Sequence, residues 1–192
     1  MFTGIIEAKE KIQKSAVREN VMSLTIGKPS GWELKEGQSI AVNGACLTVV
    51  SFDEQGFDVE LVSETLEKTI FGSSMPELVN LERAMLSTDR FEGHIVQGHI
   101  EGIGTVTDIQ TDEHTMDLTV SFDSLYQQLL VEKGSVTVNG VSLTICALTE
   151  NTFSLALIPH TIANTTLGFC AVGDIVNLEF DIIGKYLTKN IN

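Results

Sequence analysis

The chain has 192 residues, with 12 basic against 26 acidic side chains, a formal charge of −14 and 43% apolar residues. That is enough apolar material to fill one or two cores, which excludes a disordered chain. No basic run is present, so a nucleic-acid partner and docking on an anionic membrane are both disfavoured.

The opening segment, Met1-Phe2-Thr3-Gly4-Ile5-Ile6-Glu7, has no basic leader, and Glu7, Lys9 and Glu10 interrupt any apolar run, so no targeting peptide is expected. No stretch reaches the ~18 apolar residues of a spanning helix. Residues 30–36 read as a short helix stopped by Gly37. Then comes Ser39-Ile40-Ala41-Val42-Asn43-Gly44-Ala45-Cys46-Leu47-Thr48, with Asn-Gly between alternating apolar runs. Both turn residues must take positive φ, which makes this the strongest short hairpin signal. Phe57, Val59 and Leu61 alternate with Asp58 and Glu60, as a half-buried strand does.

The pattern returns 96 positions later as Ser135-Val136-Thr137-Val138-Asn139-Gly140-Val141-Ser142-Leu143-Thr144. At the same offset, the stretch from Val59 to Leu66 matches that from Leu155 to Ile162; farther on, Val79-Asn80-Leu81-Glu82 recurs as Val176-Asn177-Leu178-Glu179. Near the start, Gly4-Ile5 matches Gly102-Ile103. Two homologous domains follow, over about 1–90 and 91–185, with a helical tail over 186–192. Short strands with closely spaced turns predict an all-β chain, a tandem pair of small closed barrels without exposed edges. In the second half, Asp123 is expected to cap a helix over residues 124–132, with Leu125, Leu129 and Leu130 on one stripe and Gly134 as its stop. In the tail, Ile183, Leu187 and Ile191 fall at i, i+4 and i+8. That stripe seeks either its own barrel or a second chain.

The three cysteines, Cys46, Cys146 and Cys170, have no CxxC spacing, which predicts reduced thiols in a cytoplasmic protein. Strand alternation puts Cys46 and Thr48 on one face and Ser142 and Thr144 on the equivalent face of the second half. Most free cysteines are small core hydrophobes, and Cys46 reads that way taken alone. The exchange of Cys for Ser between the halves points instead to a polar cleft, since a core hydroxyl needs a partner. His94 and His99 are five apart, hence on opposite faces of a strand, which disfavours a chelating pair and a metal site. Each reads more readily as a structural histidine. His114 lies in a polar stretch, and His160 follows Pro159 where a helical turn starts. No Walker loop, G-x-G-x-x-G, nucleophile elbow or H-E-x-x-H occurs, so an enzyme here would use a substrate that carries its own reactivity.

The opening Met1-Phe2-Thr3-Gly4-Ile5-Ile6-Glu7, the two Asn-Gly-x-(Cys/Ser)-Leu-Thr segments, Gly93-His94-x-x-x-Gly98-His99 and Ile158-Pro159-His160-Thr161 together resemble the riboflavin synthases of the alpha-chain type. The resemblance runs from residue 1 to about 187. It implies two six-stranded Greek-key barrels with a C-terminal helix that assembles a homotrimer. It implies a dismutation in which two molecules of 6,7-dimethyl-8-ribityllumazine exchange a four-carbon unit, giving riboflavin and 5-amino-6-ribitylamino-uracil, with no metal or organic cofactor. Each barrel would bind one lumazine, and the active site would form between the N-barrel of one subunit and the C-barrel of its neighbour. In the N-barrel the resemblance assigns the pteridine to Gly4, Ile5 and Ile6, with Ser39, Cys46, Leu47 and Thr48. Glu60, Leu61, Val62, Ser63, Glu64 and Thr65 complete that half-site. In the C-barrel it assigns Gly102, Ile103, Ser142, Leu143 and Thr144, with Leu157, Ile158, Pro159, His160, Thr161 and Ile162. Lys133, Gly98, His99 and Ile100 also map to ligand-lining positions. Cys46, Ser142 and His99 are the candidates for acid–base or transient nucleophile roles.

Many family members carry Asp where this chain has Asn139, and Asn cannot act as a base; turn chemistry alone accounts for either residue. A non-catalytic lumazine- or flavin-binding antenna protein is the alternative, but both half-sites look intact. The pathway makes a lumazine synthase shell a reasonable further partner.

Overall fold

The computed structural model describes residues 1–19 and 21–191. The first half contains six strands, β1 (Ala8–Arg18), β2 (Val21–Gly27), β3 (Ser39–Val42), β4 (Ala45–Phe52), β5 (Gly56–Leu61) and β6 (Leu78–Arg83). They close into an antiparallel barrel in the order β1-β2-β5-β4-β3-β6. The second half contains β7 (Gly102–Thr111), β8 (Met116–Ser121), β9 (Ser135–Val138), β10 (Val141–Leu148), β11 (Thr152–Leu157) and β12 (Ile175–Phe180). These close in the equivalent order, β7-β8-β11-β10-β9-β12. Alternation does what the sequence promised: Leu24, Ile40, Val59 and Leu81 fill one barrel and Leu118, Val136, Leu155 and Leu178 the other. Among the described residues no helix is long and apolar enough to cross a membrane.

Short helices punctuate each barrel at matching points, α1 (Ser63–Lys68) and α2 (Pro159–Asn164), and α3 (Ile182–Ile191) closes the chain. Two expected helices differ from the sequence reading. Residues 30–36 form turns, because Gly31 takes φ +79, a left-handed conformation that no α-helix accommodates. Over 124–132, Asp123 caps as expected by accepting from the Leu125 N–H, but the helix is a 3-10 turn over Ser124–Leu129. Its tighter pitch breaks the 3.6-residue stripe: Leu130 is buried while Leu125 is 76% exposed.

The two barrels meet on a pseudo-twofold seam built from the Asn-Gly hairpins. Asn43 and Gly44 adopt φ of 44° and 82°, and Asn139 and Gly140 adopt 47° and 81°. A Cβ on Gly44 would stand 2.8 Å from the Gly140 nitrogen, so only glycine lets the tips touch. The repeated Val-Asn-Leu-Glu strands supply the bolts. Asn80 Nδ2 donates to the Asn139 carbonyl at 2.9 Å, and Asn177 Nδ2 donates to the Asn43 carbonyl at 2.8 Å. Their Oδ1 atoms accept the N–H groups of Thr166 and Ile70, both at 2.8 Å. Asn43 and Asn139 in turn accept the N–H groups of Asn80 and Asn177. Asn139 is thus a buried turn residue at the seam, and its side-chain oxygen is occupied.

Candidate active site

Two segments outside the barrels decide which residues meet. Phe2 pairs with Val96 in an antiparallel bridge, and the His94 N–H donates to the Thr3 carbonyl at 3.1 Å. This short ladder crosses between the barrels. At one end Gly4, with φ +78, accepts the Ser142 N–H through its carbonyl at 2.8 Å. At the other Gly98, with φ +81, accepts the Cys46 N–H at 2.8 Å. A Cβ on Gly4 would lie 2.6 Å from the Ser142 Cβ, and one on Gly98 would lie 2.5 Å from the Cys46 Cβ. Each barrel's chemistry-bearing strand is therefore walled by the segment that leads into the other barrel.

Gly4 and Ile6, expected in the N-barrel half-site, lie against the second barrel instead. Gly4 is bonded to Ser142 of the second barrel, and Ile6 packs on that barrel's core. The counterparts of Gly4 and Ile5 are Gly98 and His99, while Gly102 and Ile103 open β7, paired with Leu178 and Asn177. The offset between halves is 94 here, for the glycines and for the starts of β1 and β7 alike, and widens to 96 only between those strands and the Asn-Gly hairpins.

The first cleft, of ≈ 390 Å³, is lined by Cys46, Glu64, Thr65, Gly98, His99 and Ile100, all anticipated, and by Ala45, Lys68 and Thr69, which were not. Cys46 is half-buried, on the cleft and against a small apolar cluster of Phe2, Ala41 and Val96. Thr48 is exposed on the same strand face, opposite Ser39 in the register. Ser39 and Ile5 border a different cavity, of ≈ 860 Å³, alongside Arg83 and Arg90. Leu47, Leu61, Leu143 and Leu157 are buried in the barrel cores, so only their backbone can face a ligand. Val62 and Ile158 are exposed at the N-caps of α1 and α2, and Glu60 and Ser63 are exposed beside the first of them. Pro159, His160, Thr161 and Ile162 form α2, with His160 exposed at its first turn.

The second half-site is more polar. The Ser142 Oγ lies 2.7 Å from His94 Nδ1, and His94 Nε2 lies 3.2 Å from the Thr137 Oγ1. Thr137 faces Ser142 across the β9–β10 pair; in the first barrel the facing residue is Ala41, opposite Cys46. Burial lowers the His94 pKa below its ordinary value, against a smaller upward pull from Asp181. The ring is then neutral at neutral pH, with one nitrogen donating and the other accepting. The sequence reading had His94 in the Gly93-His94-x-x-x-Gly98-His99 motif and as a structural histidine, but not among the site residues; the motif was the signal that could have raised it.

Lys133 carries a backbone signature. It takes φ +66 and donates its N–H to the Ile145 carbonyl, where the first barrel has Gly37 at φ +81 bonded to Val49. A lysine held left-handed where glycine is the easy choice costs about 1–2 kcal/mol. Cys170, outside both clefts, is held by burial up to about 11, an inert thiol at neutral pH.

A family profile described as the lumazine binding domain matches residues 3–84 and again 97–181. A riboflavin synthase of Bacillus subtilis is 43% identical over 191 residues, covering 98% of this chain and 89% of that protein. One of Actinobacillus pleuropneumoniae is 42% identical over 193 residues with the same coverage. The chain belongs to the riboflavin synthase family. Its fold is shared with LumP: the crystal structure of that protein with riboflavin superposes with a TM-score of 0.87 at 22% identity, covering 94% of this chain and 99% of LumP. The structure with 6,7-dimethyl-8-(1'-D-ribityl) lumazine gives 0.83 at 23% identity, covering 93% and 98%. The two stretches that match the lumazine binding domain coincide with the two repeats seen in the sequence.

Proposed function

We propose that this chain is a riboflavin synthase that dismutates two molecules of 6,7-dimethyl-8-ribityllumazine into riboflavin and 5-amino-6-ribitylamino-uracil. The carrying observation is the pair of equivalent half-sites, one headed by Cys46 and one by Ser142, each hydrogen-bonded to a crossing glycine segment. The reaction needs a carbon acid deprotonated on one lumazine and an electrophilic carbon on the other. Ser142 with neutral His94 is equipped to move a proton. Cys46 and His99 offer a thiol and an imidazole on the other side. The strained Lys133 supports a ligand contact for its ammonium.

The reacting pair belongs to two protomers. Gly4 and Gly98 lie on opposite sides of the Phe2–Val96 bridge, because the chain runs from Phe2 to Gly4 and from Val96 to Gly98 in opposite directions across that antiparallel pair. Four residues of extended chain separate them by about 13 Å, whereas reacting atoms must approach to about 3–3.5 Å. A buried Phe2 and Val96 fill the space between. This separation supports an active site between the N-barrel of one subunit and the C-barrel of the next. The exposed face of α3 supports a homotrimer: Gly184 docks on Leu129, while Ile183 and Leu187 are 56% and 60% exposed. The side chain of Ile191 lies outside the described residues.

Purified protein mixed with 6,7-dimethyl-8-ribityllumazine alone tests this reading. One riboflavin for every two substrates consumed is the expected result. Bound, unchanged lumazine would overturn it in favour of an antenna-type binder. Mixing two inactive variants, one altered at His99 and one at Ser142, is expected to restore turnover through the hybrid sites of a mixed assembly. Failure to do so would overturn the intersubunit site.

A further inference from the structure

The Val-Asn-Leu-Glu strands end on two glutamates that neither the repeat nor the clefts account for. Along β6 and β12, Val79, Leu81, Val176 and Leu178 point into the barrel cores, so the asparagines and glutamates point outward, toward the seam. The asparagines bolt the seam. The glutamates do something else. Glu179 is 2% exposed, and its carboxylate accepts the N–H groups of Gln97, Gly98 and His99 at 2.7, 2.9 and 3.1 Å. Glu82 is 5% exposed and accepts the N–H of Thr3 at 2.6 Å, the Thr3 hydroxyl at 2.9 Å and the Gly4 N–H at 2.9 Å. Burying a carboxylate costs several kcal/mol unless donors surround it, and an apolar residue would pack a seam at less cost. Here each carboxylate gathers consecutive donors of one crossing segment. The next link is the glycine carbonyl of that segment, which accepts the Cys46 or the Ser142 N–H.

We propose that Glu179 and Glu82 are positioning residues that act across the barrel boundary. Glu179, on the C-barrel, sets His99 and the Gly98 carbonyl against Cys46 in the N-barrel cleft. Glu82, on the N-barrel, sets Gly4 against Ser142 in the C-barrel cleft. Each barrel thereby shapes the other's half-site. The functional weight of this crossing rests on the lumazine reading above; the geometry of the crossing does not.

The test is site-resolved amide hydrogen exchange on the ¹⁵N-labelled full chain, with turnover measured in parallel. Glu179→Gln turns one acceptor oxygen into a donor facing N–H groups. It is expected to speed exchange of the Cys46 amide about tenfold or more while leaving Ser142 within twofold. Glu82→Gln is expected to do the reverse. Thr3→Val removes one of Glu82's donors and leaves both amides, and is expected to speed Ser142 selectively by a smaller factor. Turnover is expected to fall about tenfold in each glutamine variant, with KM moving less than kcat. Acceleration in the glutamate's own barrel, equal acceleration of both amides, or no change would each overturn the proposal. If the glutamine variants do not fold, Thr3→Val decides: without selective acceleration at Ser142 the proposal falls. A crossed exchange pattern in a protein that makes no riboflavin would sink the catalytic reading alone. Riboflavin formation without the crossed pattern would sink this inference alone.

Discussion

Removing the side chain of Asn177 should loosen the seam that holds the two clefts in place. Its carboxamide is fully buried; it donates to the Asn43 carbonyl at 2.8 Å and accepts the Ile70 N–H at 2.8 Å. In Asn177→Ala both partners stay buried and lose their mates. A buried group left unpaired costs about 1–3 kcal/mol, so the two together come to about 2–6 kcal/mol. For a chain of this size that lowers Tm by roughly 5–20 °C. Urea titration reads it through two probes: far-UV circular dichroism for both barrels, and the single tryptophan, Trp32, which packs on the first barrel. Both midpoints are expected to fall in the variant. Turnover should fall as well, because the crossing segments rely on the seam. A loss of stability under about 0.5 kcal/mol, the range of an ordinary surface change, would refute the seam as a structural determinant.

Asn139→Asp keeps the oxygen that accepts the Asn177 N–H, so turnover is expected within about threefold of wild type; a loss of several orders of magnitude would restore a catalytic role to that position. His94 is held below its ordinary pKa by burial, so the unfolded chain takes up its proton first as pH falls. Its contribution is complete above about pH 6.5 and is lost on acidification toward its folded pKa, at no more than about 1.4 kcal/mol per pH unit. His94→Gln should flatten that limb of the stability profile, and the acid limb of kcat should lie below 6.5; an acid limb above 6.5 would count against a neutral His94. Lys133→Gly relieves a left-handed lysine and is expected to raise stability by about 1 kcal/mol while weakening lumazine binding in a fluorescence titration; unchanged affinity would remove Lys133 from the site. Leu187→Glu puts a charge on the exposed face of α3, and sedimentation should then show a smaller assembly with lower turnover; an unchanged assembly would remove this face from subunit contact.

Whatever depends on neighbours along the chain was legible in the sequence. Two Asn-Gly turns with positive φ, strands of period two and a register-preserving repeat specified the paired barrels, because turn stereochemistry and alternation are local. They also brought Cys46 to notice, and Ser142 through its exchange with cysteine; His99 came only with the family resemblance. The short helices were less legible: Leu125, Leu129 and Leu130 suit an α-helical stripe, yet that piece packs as a 3-10 turn whose geometry depends on the core beneath Leu130. Which segment walls which cleft was decided only in three dimensions. The Thr3 and Gly4 amides meet a carboxylate 79 and 78 residues away, and Ser142 meets His94 at a separation of 48. Nothing in the local spacing says that the leading segment of one barrel crosses to the other, because that choice is made by buried hydrogen-bond acceptors which exist only once both barrels have closed.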